Sequence, residues 1–227
     1  FLDQNGEKIS KSIGNGISVE DWLAFSPQQS LELFMFQNPN RAKKLYFDII
    51  PKFTDDYIKL SKEYESIESE KKIDSPLWFI KPETNQRILD NITFNLILNL
   101  ANVCNAENTD IMWGFIENYY GKLKREDYPY IQKLLDYGVS YYKKFVLPNK
   151  KYRQPSEKER KGFIKLINIL ENIHESSDPE DIQTKVYDIG MELEFEKLKY
   201  WFQGFYQVIL GQDQGPRIGS FIKFFGI

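Results

Sequence analysis

A mainly α-helical bundle is predicted for this 227-residue chain, and three observations predict it. Apolar residues recur at helical spacing along most of the sequence, helix-start signals precede them, and strand-and-turn character is confined to the opening. That opening, Phe1-Leu2-Asp3 followed by Asn5-Gly6, reads as a short β-hairpin turn. A polar stretch from Glu7 to Asn15 follows, bounded by Gly6 and Gly16. Ser26, Pro27 and Gln29 have the spacing of a capping box leading into Leu31, Phe34 and Met35. Phe53, Tyr57, Leu60, Tyr64 and Ile67 then lie on one face of a helix, with acids and lysines opposite.

The charged, Pro-containing stretch 68–83 reads as a linker, which divides the chain into segments 1–75 and 76–227. Beyond it, Ile88 to Val103 is apolar enough for a central core helix. Thr109 is expected to cap a helix ending near Tyr120-Gly121, and Asp127 before Pro129 to open one running towards Phe145. Ser156 with Glu159 forms a second capping box, followed by Phe163, Leu166, Ile167, Leu170 and Ile173. Asp178-Pro179 starts another helix, and Phe195 to Ile209 another still, ending at Gly211.

Composition excludes several classes. With 41% hydrophobic and 15% aromatic residues the chain can bury a core, so a disordered reading fails. A single cysteine, Cys104, excludes an internal disulfide framework and a multi-thiolate zinc site; a single histidine, His174, excludes most multi-histidine metal sites. No apolar run reaches the roughly 20 residues of a membrane span, so no membrane partner and a cytoplasmic setting are expected. The net charge of −3 argues against a uniformly basic nucleic-acid binder. Seven basic residues nevertheless fall between Lys150 and Lys165, and an acidic run follows from Glu175 to Glu196. Such asymmetry either orients a polyanion or marks two solvated helix faces.

The sharpest local feature is Lys8-Ile9-Ser10-Lys11-Ser12, placed after the hairpin and before Gly14-Asn15-Gly16. Two lysines bracketing serines on a loop supply point charges and hydroxyl donors to a triphosphate. Elsewhere, unpaired bases are captured by aromatic faces with Lys and Arg on the phosphates. Tyr152-Arg153 and Trp201 with Phe205 offer that equipment, although Trp201 and Phe205 lie at core spacing. Arg217, in a Gly-Pro-Arg turn, either caps a helix or touches RNA. Asp55 and Asp56 are adjacent, hence unsuited to a catalytic pair, and read as capping residues; Cys104 reads as packed.

The segment FLDQNGEKISKSIGNGISVEDWL resembles the signature loop of class I aminoacyl-tRNA synthetases in its Lys-Ile-Ser-Lys-Ser variant. More narrowly, that stretch, SPQQSLELFMFQNPNRAKKLYFDIIPKFTDDY and the closing GQDQGPRIGSFIKFFGI resemble the class I lysyl-tRNA synthetases. The resemblance implies a small stem-contact-type segment over 1–75 and an α-helix-cage anticodon-binding domain over 76–227. It implies activation of lysine with ATP, accompanied by magnesium, and transfer to tRNA-Lys in the intact enzyme. Lys8, Ile9, Ser10, Lys11 and Ser12 fall on the catalytic loop, with Lys11 on the ATP phosphates; Tyr152, Arg153, Trp201 and Arg217 are the candidate tRNA contacts.

The family carries a His-Ile-Gly-His-type signature on a nucleotide-binding fold, which one histidine cannot supply. The chain is therefore expected to be a C-terminal portion that holds no cofactor and is inactive alone. Lysine and ATP are expected to bind only with the N-terminal domain. The competing expectations are another class I synthetase, such as a glutamyl type, and a non-catalytic helical interaction module.

Overall fold

A computed structural model describes residues 1–10, 12–82, 87–121, 123–174 and 177–225. Lys11 lies outside the described residues. The architecture is mainly α, as expected. Among the described residues there are eleven α-helices and no extended strand pairing. The opening turn forms, but only as single bridges: Leu2 pairs antiparallel with Lys8 and parallel with Lys44. None of the helices is long and apolar enough to cross a membrane.

The chain divides into two compact units, Phe1–Leu98 with Lys124–Tyr141 and Asn99–Leu123 with Tyr142–Ile227. The first unit contains α1 (Val19–Leu23), α2 (Gln28–Phe36), α3 (Ile49–Ser66), α4 (Leu77–Ile80), the start of α5 (Phe94–Val103), and α7 (Pro129–Tyr141). Helix α2 packs on α3, and Trp22, Leu33, Phe34, Ile50 and Tyr57 are fully enclosed or nearly so. Burying five side chains of this size contributes on the order of 10 kcal/mol before the entropy of ordering is subtracted.

Several expected helix starts differ. Ser26 does not cap α2: its hydroxyl is buried and pairs with Ser30 Oγ and Thr54 Oγ1, each at 2.6 Å. Trp22 Nε1 donates to Ser30 Oγ at 2.9 Å, so this hydroxyl cluster ties α1, α2 and α3 together. The stretch expected to be a linker folds into a 3-10 turn, Ser69–Asp74, and α4. Helix α5 begins at Phe94 rather than Ile88, because Asp55 on α3 accepts the Phe94 and Asn95 N–H groups and caps it from a distance. Burial pushes the Asp55 carboxyl up to about 6, against the pull of those two N–H donors. Asp55 thus caps a helix other than its own.

The second unit contains α6 (Thr109–Tyr120), α8 (Glu157–Asn172), α9 (Pro179–Glu192), α10 (Leu198–Ile209) and α11 (Ile218–Phe225). Asn108, not Thr109, caps α6; its side chain accepts from Asp110 N at 3.1 Å. The capping boxes and Pro starts foreseen for α8 and α9 are present at Ser156 and Asp178. Helix α9 packs against α8, α10 and α11. Ile182, Val186, Ile189, Trp201, Phe205 and Ile222 belong to one core there. Trp201 is central: its Nε1 donates to Val186 O at 2.9 Å, and Phe163, Phe195 and Phe205 surround its ring. It fits because Gly162 and Gly190 face it. A Cβ at either position would lie within 2.7 Å of the indole.

Candidate functional site

The described members of the Lys8–Ser12 segment are not packed away. Lys8 and Ser12 are exposed, while Ile9 and Ser10 are half-buried. Its base is latched by a residue the sequence reading passed over. Asp3 is buried, and one carboxylate oxygen accepts from Asn5 N and Glu7 N, both at 2.9 Å. The other accepts from Asn15 Nδ2 at 3.0 Å, and Asn15 Oδ1 accepts in turn from Ser10 N at 3.0 Å. The ends of the loop are thereby held together, and the Ser10 and Ser12 hydroxyls pair at 2.8 Å. The segment is anchored to the body through Leu2 N to Lys43 O at 2.8 Å and Lys44 Nζ to Gln4 O at 3.0 Å. An aspartate two residues before Asn-Gly is an Asx-turn signal, which is how Asp3 was legible in principle.

The Glu7 N–H, then the Asn15 amide, hold the Asp3 carboxyl below its ordinary value of 3.8. A lowered folded value means the latch is complete above pH 3.8 and fails as pH falls through that lowered value. Asp3→Ala is expected to speed hydrogen exchange at the Asn5 and Glu7 amides and to hasten tryptic cleavage after Lys8. Unchanged exchange and cleavage in that variant would refute the latch.

The second candidate lies wholly within the second unit. An open cleft of about 480 Å³ is lined by Lys151, Tyr152, Arg153, Gln207, Gln212 and Asp213, among others. Lys151 N donates to Gly211 O at 2.9 Å, fastening the loop after residue 149 to the turn that ends α10. Tyr152 is 54% exposed, and its ring rests beside the Gly211 backbone. Lys150 Nζ donates to the Tyr152 hydroxyl at 3.0 Å, to Asn102 O at 2.6 Å and to Asn105 Oδ1 at 2.7 Å, so it braces the loop. The cleft therefore has an aromatic surface, amides and a carboxylate at its rim, equipment suited to an unpaired base.

Arg153 is engaged within the protein. Its Nη1 and Nη2 donate to the two Glu159 oxygens at 2.8 and 2.6 Å, and its Nε donates to Gln207 Oε1 at 2.6 Å. Glu159 is 5% exposed and also accepts from Ser156 N at 2.7 Å. The Arg153 hydrogen bonds, outweighing desolvation and helped by Ser156, hold the Glu159 carboxyl down at about 2. Arg153 is accordingly spent on the protein itself.

Other members of the basic stretch are engaged too. Lys158 Nζ donates to Glu194 O at 2.9 Å, and Lys165 pairs with Glu192 at 2.5 Å. Trp201 offers no face to a base, since its ring is fully enclosed in the core. Helical spacing served packing at that residue. Arg217 pairs with Glu180 near the start of α11, with both side chains more than half exposed. Burial pushes the Cys104 thiol up to about 11, which makes it a poor nucleophile.

Residues 1–83 match the family model described as tRNA synthetases class I (K). The Lys-Ile-Ser-Lys-Ser sequence lies within the matched segment. Over its whole length the chain is similar to curated proteins named lysine–tRNA ligase. That of Rickettsia bellii (strain OSU 85-389) is 44% identical over 229 residues, covering all of this chain and 44% of the relative. Those of Rickettsia felis and Rickettsia akari are each 43% identical over 229 residues, with 44% and 43% of the relative covered. The chain spans less than half the length of the curated relatives it matches.

Proposed function

We propose that this chain is the C-terminal, tRNA-binding portion of a class I lysine–tRNA ligase. The observation that carries the reading is whole-chain similarity to lysine–tRNA ligases, with the Lys-Ile-Ser-Lys-Ser sequence inside the matched segment. In the intact enzyme the lysine carboxylate attacks the α-phosphorus of ATP, releasing pyrophosphate. A ribose hydroxyl at the 3′ end of tRNA-Lys then attacks the adenylate carbonyl, releasing AMP. Lys11, supported by Lys8, Ser10 and Ser12, neutralises charge on the triphosphate during the first step, where magnesium also acts. Ile9, half-buried, anchors the loop.

In the same reading, segment 1–75 is a stem-contact-type module and segment 76–227 an α-helix cage that receives the anticodon, in a cytoplasmic enzyme. The cleft beside Tyr152 is where the second unit takes an unpaired nucleotide. Polarisation titration of the 227-residue chain with tRNA-Lys tests this directly. Salt-sensitive binding that weakens when anticodon bases are changed is the expected result. Tyr152→Ala is expected to weaken it roughly tenfold through lost stacking. No binding at low salt would overturn the reading.

A further inference from the structure

The cleft contains an orientation relay whose consequence is chemical. Arg153 Nε is a donor only, so the Gln207 amide must turn its oxygen towards it, at 2.6 Å. The Gln207 nitrogen is thereby aimed the other way and donates to Asp213 Oδ1 at 2.6 Å. Gln203 Nε2 lies 3.5 Å from the same oxygen. Upstream, Arg153 is itself locked by Glu159, which is fixed by the first turn of α8. The sequence Glu159–Arg153–Gln207–Asp213 therefore ends in a carboxylate on the cleft wall with one oxygen tethered. The other oxygen has no hydrogen bond among those found for the described residues.

That arrangement disfavours a phosphate. Arg153 is neutralised by Glu159, and Asp213 offsets the charge of Lys151 at the rim. What a tethered carboxylate next to an exposed tyrosine ring favours is a flat group that donates an N–H along its edge. We propose that Asp213 is a specificity-determining residue of this cleft, accepting an N–H from the Watson–Crick edge of an unpaired base that lies against Tyr152. Arg153 is a positioning residue that acts through Gln207 and does not contact the RNA backbone. This rests on the tRNA-binding reading above and adds to it the class of group read and the residue that reads it.

The test uses the 227-residue chain and a panel of tRNA-Lys anticodon stem-loops. Each loop base is changed in turn, and further members carry an N-methyl group in place of the Watson–Crick edge N–H. Wild-type protein is expected to lose roughly tenfold in affinity at one loop position when that N–H is methylated. Asp213→Asn keeps the shape of the exposed side chain and is expected to lose this discrimination, binding methylated and unmethylated loops alike. Gln207→Leu, which unties Asp213 from Arg153, is expected to reduce the discrimination while leaving the salt dependence of binding unchanged.

Full discrimination retained by Asp213→Asn, with Tyr152→Ala still weakening binding, overturns the role of Asp213 and leaves the tRNA-binding reading standing. Wild-type protein that binds no stem-loop overturns both.

Discussion

Under the proposed function, Lys11→Ala in the full-length protein is expected to slow ATP–pyrophosphate exchange by about 100-fold or more and to leave tRNA affinity within about twofold. The magnitude follows from removing one preorganised donor from charge that develops in a transition state. The separation of the two readouts follows from placement. In sequence Lys11 falls between Ser10, whose N–H is held by Asn15, and the exposed Ser12, both in the first unit. The residues offered for base recognition, Tyr152 and Asp213, belong to the second unit. An unchanged exchange rate would refute the role assigned to Lys11. Lys11→Arg is expected to recover little, because a compact ammonium and a planar guanidinium differ in reach and geometry.

The second large effect is on stability. A Cβ at Gly204 on α10 would stand 2.0 Å from Glu159 Oε1 and 3.2 Å from Arg153 Nη2. Gly204→Ala therefore has to displace the carboxylate from its guanidinium. Breaking a largely buried pair and stranding one charge costs about 3 kcal/mol once the 39% exposure of Arg153 is allowed for. For a chain of this length that is a drop of about 10 °C in melting temperature. Gly114→Ala is the control: a Cβ there meets nothing within 4 Å, and alanine favours the helix interior. Equal melting temperatures for the two variants would refute the argument.

The same pair sets an acid dependence. Because the folded Glu159 value, about 2, lies below its ordinary value of 4.5, its contribution is complete above pH 4.5 and is lost as pH falls towards 2. Urea unfolding at a series of pH values should show this slope in the wild type and a shallower one in Glu159→Gln.

What could be read from the sequence was local. The capping box of Ser156 and Glu159 was legible because both partners lie within one turn, and Arg153 binds Glu159 without displacing the cap. The same pattern at Ser26 misled, since burial recruits its hydroxyl to Ser30 and Thr54. The start of α5 was misplaced because its cap, Asp55, is 39 residues away from Phe94. Trp201 and Tyr152 show the same limit at the site. Periodicity does not separate an enclosed ring from a stacking surface, whereas a polar, Pro-flanked loop kept Tyr152 in solvent. Gln207 carried no motif and Asp213 was only part of the closing stretch, and the turn after α10 is what sets Asp213 against Gln207.

The first unit is discontinuous, with Lys124–Tyr141 completing what Phe1–Leu98 begins. During translation, its early helices must therefore wait for α7 while another stretch of chain leaves the ribosome. At roughly 5–20 residues per second that delay lasts seconds, long compared with helix formation. A nascent chain stopped near residue 98 should keep its apolar surfaces open to chaperones, and no single excision point yields a complete half.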